Sequence, residues 1–362
     1  MKIREVEVFR QAIPLHKPFR TALRTVTVAE SVLVRLTADD GRVGWGEAPA
    51  TLAITGDSLP AIEAAIRDTM RPLLVGQSVL AHEALLQAVN RSMIGNTSAK
   101  AAVDMAVYDL LGQQCGLPLY QLLGGAKDEL ETDFTVSVGA PVAMGEDAVE
   151  AVAGGFQVLK IKVGKDSIER DLERIREVRQ WVGPEITIRL DANQGWQVKE
   201  AIRSIRQMEE EGLGIELVEQ PVHALDLDGL KAVTDAVDTP IMADESVFSP
   251  RHALEVLKRR AADLINIKLM KTGGLYKALR VNAIAEEYGV ECMIGSMIES
   301  RVAVTAAAHL AAAQKNITRF DLDAPLLLAA DPVEGGVCYT GRRIAFPAEP
   351  GLGIRGVILT SP

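Results

Sequence analysis

Charged residues end a series of short apolar segments in the middle of the chain, at nearly regular intervals. These residues are Lys162, Asp191, Glu219, Asp244 and Lys268, and successive members are 29, 28, 25 and 24 residues apart. Each interval has room for one strand, one helix and two loops. Strand–helix units that repeat in this way form a parallel (β/α) barrel, whose strands all end at one mouth. We therefore expect these five side chains to meet at that mouth.

Two lysines, Lys160 and Lys162, lie two residues apart within the apolar segment 156–164. Because side chains alternate along a strand, both ammonium groups face the same side. A strand this apolar is typical of a buried position in a parallel sheet, where like charges are costly unless negative groups lie opposite. The strand-end carboxylates supply those negative groups.

The sequence before residue 126 predicts a smaller domain of the α+β class. Apolar and polar residues alternate in residues 1–50, which predicts antiparallel strands with a turn at Asp40-Gly41. We interpret residues 17–25 as a loop between the first two strands. Helical periodicity covers residues 57–72, 80–92 and 97–115.

From residue 133 onward, strand and helix patterns alternate. Seven pairs extend to about residue 313, and an eighth strand at 317–323 precedes Pro325 without a clear eighth helix. Asp166 and Ser249 are predicted to cap two of the helices. The predicted fold is of the α/β class. It is a modified TIM barrel, (β/α)7β, at residues 126–325, with an N-terminal α+β capping domain at 1–125 that the C-terminal segment 326–362 completes.

The composition argues against several classes of partner. The 362 residues carry a net charge of −10 without a basic cluster, which disfavours nucleic acids and anionic membranes. The longest apolar stretch, at 302–313, is too short to span a bilayer and predicts a buried helix. Cys115, Cys292 and Cys338 have no metal-ligand spacing, and the first residues contain no apolar signal region. We therefore expect a cytoplasmic protein that acts on a small molecule.

The three carboxylates, Asp191, Glu219 and Asp244, form an oxygen-rich set suited to Mg²⁺. Neither histidine nor cysteine joins them in the pattern, so zinc is disfavoured. Counted from residue 133, Lys162 lies on the second strand and Lys268 on the sixth, so the two lysines should face each other across the mouth. Two bases beside a Lewis acid suit the removal of a proton from the carbon next to a carboxylate. The cation stabilises the enediolate, one lysine removes the proton, and the other lysine returns one.

Each of these residues alone has a simpler explanation, because strand-end charges often cap helices or face solvent. Five such residues, each at the same end of one of a series of successive predicted strands, favour a joint site. The five histidines of the chain show no comparable spacing, and we assign them no role.

Through Lys160-Ile161-Lys162, the three carboxylates and Lys268, the sequence resembles the enolase superfamily in its muconate-lactonising subgroup, which uses a lysine base with Mg²⁺. Further segments resemble the bacterial dipeptide epimerases of that subgroup: Thr21-Ala22-Leu23-Arg24-Thr25, Ala53-Ile54-Thr55-Gly56-Asp57, Leu122-Leu123-Gly124-Gly125 and Asp321-Leu322-Asp323-Ala324-Pro325. The resemblance implies reversible inversion at the C-terminal residue of a dipeptide of the L-Ala-Glu type, in peptidoglycan turnover, by a homo-oligomer.

The resemblance also implies a role for each site residue. Lys162 and Lys268 are the expected catalytic residues, and Asp191, Glu219 and Asp244 are the expected metal ligands. The expected substrate contacts are Arg24, Thr135, Lys160, Ser296, Ile298, Asp321 and Asp323. Two aspartates on one face of the last strand suit the ammonium group of a dipeptide, and a loop arginine suits its side-chain carboxylate.

Two alternatives remain open. An N-acylamino acid racemase or an o-succinylbenzoate synthase of the same subgroup would use the same enolate chemistry, but the ammonium-binding Asp321 and Asp323 argue against an acylated substrate. A barrel that binds metal and ligand without turnover would leave Lys162 and Lys268 without a purpose. Acid-sugar dehydratases are disfavoured because no histidine lies between Cys292 and Ser296.

Overall fold

A three-stranded antiparallel sheet and a group of helices form the N-terminal part of the protein. The computed structural model describes residues 1–359. The strands pair in chain order and are β1 (Ile3–Arg20), β2 (Thr25–Ala38) and β3 (Val43–Pro49). The helices are α1 (Leu59–Ala64), α2 (Arg71–Leu74), α3 (His82–Arg91), α4 (Thr97–Cys115) and α5 (Leu119–Leu122). A π-helical turn at Ala65–Met70 joins α1 to α2.

The loop predicted at 17–25 is wrong for most of its length, because only residues 21–24 form the turn between β1 and β2. The pairing register shifts between Pro14 and Phe19. This irregularity accommodates Pro18, which has no backbone N–H to donate. Because β1 lies at the edge of its sheet, it tolerates prolines that a central strand would not.

Eight parallel strands follow the short strand β4 (Glu129–Glu131) and pair in chain order. They are β5 (Phe134–Val136), β6 (Val158–Lys162), β7 (Thr187–Asp191), β8 (Ile215–Glu219), β9 (Ile241–Ala243), β10 (Leu264–Lys268), β11 (Cys292–Gly295) and β12 (Ile317–Asp321). The first and last strands meet, because the Asp133 N–H donates to Phe320 O at 3.1 Å and the Leu322 N–H donates to Thr132 Oγ1 at 2.9 Å. The sheet thus closes into a barrel.

A helix follows each of the first seven barrel strands. These helices are α6 (Pro141–Ala153), α7 (Ile168–Val182), α8 (Val198–Glu210), α9 (Leu227–Thr234), α10 (Pro250–Arg259), the pair α11 (Leu269–Thr272) and α12 (Leu275–Glu287), and α13 (Arg301–Ala313). In the described part of the chain, the only helical segment after β12 is a 3-10 turn, Ala324–Leu327. The predicted (β/α)7β fold class is confirmed. Within residues 1–359, no helix has the length and hydrophobicity needed to cross a membrane.

Of the two predicted helix caps, one is right and one is wrong. Ser249 caps α10 by accepting the His252 N–H at 3.2 Å. The helix after β6 is capped by Ser167, because Asp166 instead binds the Arg174 guanidinium.

The C-terminal segment returns to the N-terminal elements. It contains β13 (Val333–Gly335), β14 (Cys338–Thr340), β15 (Arg343–Ala345) and β16 (Ile354–Val357). The Ala329 N–H donates to Pro14 O at 2.8 Å, and the Leu352 N–H donates to the Asp109 carboxylate of α4 at 2.9 Å. The segment therefore contacts both β1 and α4, while the boundaries after residues 125 and 325 stay a prediction.

Two buried carboxylates of the N-terminal part cap helices of the barrel. Glu47 of β3 accepts the Ser300 N–H at the start of α13, at 3.0 Å. Asp104 of α4 accepts the Leu275 N–H at the start of α12, at 2.6 Å. The first N–H groups of a helix have no partner within the helix, so these contacts satisfy buried donors and hold the two parts together.

Replacing Glu47 with Ala should lower the free energy of unfolding by about 1–3 kcal/mol, because buried donors at the start of α13 lose their acceptor. Equilibrium denaturation in urea measures this change. The control is Asp68→Ala, which removes an exposed carboxylate of the same part of the chain. Equal stability of Glu47→Ala and Asp68→Ala would mean that the Glu47 contact does not join the two parts.

Candidate active site

The strand-end residues meet at one level of the barrel mouth. In the parallel register, Lys162 pairs with Asp191 and Asp191 pairs with Glu219. Asp244 directly follows β9, and Lys268 ends β10. The five side chains are 0–6 % exposed. The structure therefore brings together the five residues whose spacing predicted a common site.

Lys160 lies between carboxylates from three strands. Its Nζ is 3.0 Å from Asp191 Oδ2, 2.7 Å from Glu219 Oε2 and 2.7 Å from Asp321 Oδ2. Burial disfavours the ammonium, but these carboxylates outweigh burial and raise the pKa of Lys160 well above its usual value. A positive charge is therefore fixed at the centre of the acidic site.

The two predicted catalytic lysines bind different carboxylates. Lys162 Nζ lies 2.5 Å from Asp191 Oδ2, and Lys268 Nζ lies 2.7 Å from Asp244 Oδ2. Burial disfavours the charged form of Lys268, but the negative charges of Asp244 and Glu219 raise its pKa. Their strands, β6 and β10, are four positions apart in an eight-stranded barrel, so the two lysines approach the mouth from opposite sides.

Two polar contacts of the site were missed by sequence reasoning. Asn266 Nδ2 donates to Glu219 Oε1 at 2.7 Å, and Lys271 Nζ lies 2.5 Å from Asp244 Oδ1. Strand alternation could have found Asn266, which shares a face with Lys268 two residues later. Lys271 lies in α11, after the strand has ended, so alternation does not predict its position.

The strand-end carboxylates fit a divalent cation. Asn193 Oδ1 and Glu245 Oε2, close by, accept no hydrogen bond from residues 1–359, while Glu219 Oε2 and Asp244 Oδ1 are paired with the ammonium groups of Lys160 and Lys271. Burial first and the Asp191 charge second raise the pKa of Glu219 to about 7, so a cation bound beside Glu219 would favour its ionised form. Buried oxygen donors without nitrogen or sulfur ligands match the preference of Mg²⁺.

A cavity of about 40 Å³ lies above these groups, and the N-terminal part closes it. It is lined by Lys162 and Lys268 together with Arg24, Thr135, Ser296, Ile298, Asp321 and Asp323. Sequence reasoning missed Phe19, whose ring centroid lies 5.9 Å from Lys162 Nζ. Of the predicted substrate contacts, Lys160 alone lies beneath the cavity rather than in its lining.

Phe19 also helps to seat the N-terminal part on the barrel. It belongs to a small apolar cluster with Ile13 and Ala29 of the β1–β2 hairpin, and with Ile298 and Leu328 of the later chain. Ile298 follows β11 at the barrel mouth. The cluster is separate from the main core, so the hairpin covers the site through few apolar contacts.

Arg24 lies in the turn of this hairpin and reaches the cavity. Burial lowers its pKa, and no carboxylate in the described chain forms an ion pair with it. A half-buried guanidinium without a counterion has a large desolvation cost, which an anionic group inside the cavity would offset.

Asp321 and Asp323 form a second acidic group with Asp133. One carboxylate oxygen of each lies within 4.8 Å of the others. Asp133 was missed because it precedes β5, and only the closure of the barrel brings it beside β12. The guanidinium of Arg189 lies 2.8 Å from Asp133 and is permanently charged, so it disfavours a cation at this group.

Mg²⁺ should raise the midpoint of thermal unfolding, because a ligand that binds only the folded state stabilises it by about 2.7 kcal/mol at a hundred times its Kd. Glu219→Gln and Asp244→Asn should each remove most of this shift, whereas the exposed control Glu150→Gln should keep it. Scanning calorimetry with Mg²⁺ and with EDTA measures the difference. An unchanged shift in Glu219→Gln would mean that the cation binds elsewhere.

Known proteins resemble this chain over its whole length. It is 61% identical to the L-Ala-D/L-Glu epimerase of Bacillus subtilis (strain 168), over 99% of this chain and 98% of the relative. A solved substrate-liganded complex of the Bacillus subtilis L-Ala-D/L-Glu epimerase superposes with a TM-score of 0.98 and covers 99% of both chains at 61% identity. The dipeptide epimerase of Enterococcus faecalis V583, solved with Mg and L-Leu-L-Tyr, has a TM-score of 0.95 at 45% identity, covering 98% of this chain and 99% of that one.

Family models match both parts of the chain. The model of the enolase C-terminal domain-like proteins matches residues 143–356, which contain the barrel strands with the lysines and carboxylates. The model of the mandelate racemase/muconate lactonizing enzyme N-terminal domain matches residues 3–124. The chain therefore belongs to the mandelate racemase/muconate lactonizing enzyme family of the enolase superfamily.

Proposed function

We propose that this protein is a Mg²⁺-dependent dipeptide epimerase that inverts the α-carbon of the C-terminal residue in L-Ala-D/L-Glu-type dipeptides. The observation that carries the proposal is the placement of Lys162 and Lys268, on opposite strands, in the lining of one closed cavity above three buried carboxylates. This arrangement provides two bases for one carbon atom and a cation site beside it. The full-length similarity to the Bacillus subtilis epimerase supports the same activity.

Asp191, Glu219 and Asp244 would hold Mg²⁺, which when bound supplies Lewis-acid stabilisation of the α-carboxylate as negative charge develops on it. One lysine, in its neutral form, removes the α-proton, and the electron pair of the C–H bond moves into the carboxylate to give an enediolate. The ammonium of the other lysine then returns a proton to the opposite face. The centre is inverted, and no net proton is gained or lost.

The cavity lining offers opposite charges for the rest of the substrate. Asp321 and Asp323 receive the N-terminal ammonium, and the Thr135 N–H holds an oxygen of Asp323 at 2.6 Å. Arg24, which has no counterion in the described chain, receives the side-chain carboxylate of a C-terminal Glu. Ser296 and Ile298, which follow β11, also line the cavity.

Two alternatives make different demands on the same site. An N-acylamino acid racemase or an o-succinylbenzoate synthase would place a neutral or anionic group beside Asp321 and Asp323, which costs desolvation without an ion pair. A non-catalytic metal-binding barrel would not place Lys162 and Lys268 in one cavity. Incubation with L-Ala-L-Glu in D₂O separates the readings, since only an epimerase yields L-Ala-D-Glu with deuterium at the α-carbon.

The cellular setting follows from the substrate class. We propose that the protein works in the cytoplasm on dipeptides released in peptidoglycan turnover. The three cysteines, none of them in a disulfide, are typical of a reducing compartment. We also propose a homo-oligomer, supported by exposed apolar side chains on the helical side of the N-terminal part, among them Leu80 and Ile94.

Lys162→Ala and Lys268→Ala should each reduce epimerisation of L-Ala-L-Glu by at least about 100-fold, because each removes the base for one face. Each variant should still exchange the α-proton of one epimer with D₂O through the remaining lysine, and the two variants should exchange opposite epimers. Mass spectrometry and NMR measure both rates. Lys165→Ala, an exposed lysine nearby, is the matched control. Normal epimerisation by either site variant would contradict the two-base mechanism.

Arg24→Ala should lower kcat/KM for L-Ala-L-Glu by the equivalent of about 2–5 kcal/mol, because the substrate carboxylate loses a charged partner in a closed site. Activity with L-Ala-L-Leu or L-Ala-L-Met should change much less, since these side chains form no ion pair. Arg20→Ala changes an exposed arginine of the same hairpin and serves as the control. An equal loss with all three dipeptides would remove Arg24 as the residue that selects Glu.

A further inference from the structure

Asp133 has no place in the mechanism described above, although it is buried beside the ammonium-binding pair. It is 1% exposed and does not line the cavity, so it cannot touch a dipeptide. Its carboxylate nevertheless lies with those of Asp321 and Asp323 in one group, with an oxygen of each within 4.8 Å of the others. Asp133 therefore acts on a ligand only through these two aspartates.

The positive charges around this group are too few for three carboxylates. Asp321 has Lys160 at 2.7 Å, but Lys160 also binds Asp191 and Glu219. Asp133 has Arg189 at 2.8 Å through Oδ2, and Arg189 also binds Glu216 at 2.6 Å.

Two carboxylates of the group have few partners for an ionised form. Asp323 accepts hydrogen bonds from the N–H of Thr135, at 2.6 Å, and from its side chain, but forms no ion pair with any described residue. Asp133 Oδ1 accepts no hydrogen bond from residues 1–359. The group therefore carries more acid functions than its surroundings can keep ionised.

The pKa values of the three aspartates reflect this shortage of positive charge. Burial raises the pKa of Asp133 well above its usual value, and the charge of Asp321 raises it further. Burial and the same Asp321 charge raise the pKa of Asp323 to about 7. Burial acts in the same direction on Asp321, but the charges of Lys160, Lys162 and Lys268 outweigh it and lower its pKa.

The other ionisable groups that face the trio of Asp133, Asp321 and Asp323 do not change their charge near pH 7. Burial raises the pKa of Tyr339 well above its usual value, so its phenol stays neutral. Lys160 and Arg189 stay charged, because the pKa of each is raised despite burial. The exchangeable proton therefore belongs to Asp133 and Asp323.

We propose that Asp133 and Asp323 share one proton in the ligand-free protein, and that the N-terminal ammonium of a dipeptide expels this proton when it binds. The charges balance in this step, because the trio loses one proton to the solvent while one ammonium arrives beside it. Asp133 is thus a positioning residue that makes recognition of a free N-terminus depend on pH. The inference rests on the proposed dipeptide substrate and adds a proton-linked binding step to it.

The dependence of dipeptide affinity on pH has a defined direction. Below the pKa of the shared site the proton must leave before the ammonium binds, so affinity rises with pH by up to about tenfold per pH unit. Above that pKa the trio is already ionised, and affinity becomes independent of this group. An N-acetylated dipeptide brings no ammonium and expels no proton.

Titration calorimetry of the Mg²⁺-loaded protein with L-Ala-L-Glu, in buffers of different ionisation enthalpy, counts the released protons. Epimerisation releases no net proton, so turnover does not add to the buffer-dependent heat. We expect a release of roughly half to one proton per dipeptide near pH 7. Two pH units higher the aspartates should release none, and the dipeptide amine, with a pKa of about 8, should take up a proton instead. N-acetyl-L-Ala-L-Glu, if it binds, should release none at either pH.

Asp133→Asn keeps the shape of the side chain, while Arg189 retains Glu216 as a partner. This variant should lose the proton release and flatten the pH dependence of KM for L-Ala-L-Glu, whereas its effect on kcat should be small. Asp68→Asn makes the same chemical change at an exposed site and should release protons like the unmodified protein. A merely structural role of Asp133 would change stability but not the proton count.

The outcomes separate this inference from the proposed function. Binding and deuterium exchange of L-Ala-L-Glu without proton release would overturn the inference and leave the epimerase function intact. Undiminished release in Asp133→Asn would also overturn it, since the proton would come from another group. Failure to bind any dipeptide would overturn both. The pH series of the unmodified protein tests the inference even if the variant does not fold.

Discussion

The buried ion pairs of Lys160 are the interaction on which the rest of the site depends. One ammonium, 1% exposed, holds carboxylates from β7, β8 and β12 within 3.0 Å. Removing one partner of a buried ion pair costs about 3–5 kcal/mol, because a charge is left without compensation in a medium of low dielectric constant. The same contacts fix where the strands end relative to one another. The geometry that a cation and two bases need is therefore already imposed by charge balance in the barrel.

The closed cavity depends on how the N-terminal part is attached. Glu47 and Asp104 cap barrel helices with buried carboxylates, so the base of this part is firmly joined to the barrel. The β1–β2 hairpin, in contrast, meets the barrel through the small apolar cluster that contains Phe19 and Ile298, through hydrogen bonds of the Arg20 backbone, and through exposed ion pairs of Lys17 with α6. Few of these contacts are buried and apolar, a property that elements which open over a site generally have.

The predictable part of this protein is the part governed by strand alternation. Successive apolar segments ending in charged residues predicted the barrel, the seven helices and the meeting of Lys162 and Lys268 with the three carboxylates. Strand alternation does not predict contacts made by residues that follow a strand, so Lys271 was missed. It also does not predict which residues meet where the first and last strands close the barrel, and Asp133 lies there. The position of Arg24 in the cavity was expected only from resemblance, because a turn arginine has many solvated conformations and no periodic signal distinguishes them.

Under the proposed function, the small volume of the cavity would set the order in which the two ends of a dipeptide are recognised. About 40 Å³ has room for a few water molecules at most, so the hairpin would have to move away for a dipeptide to enter. Asp321 and Asp323 lie at the end of the last barrel strand, whereas Arg24 lies on the hairpin turn and would reach the ligand only when the hairpin returns. Recognition of the ammonium would then be separate from closure, while recognition of the side-chain carboxylate would be part of it. In that proposal, a C-terminal residue that cannot pair with Arg24 would leave a buried guanidinium without a counterion in the closed form, and the free-energy cost would weaken closure rather than initial binding.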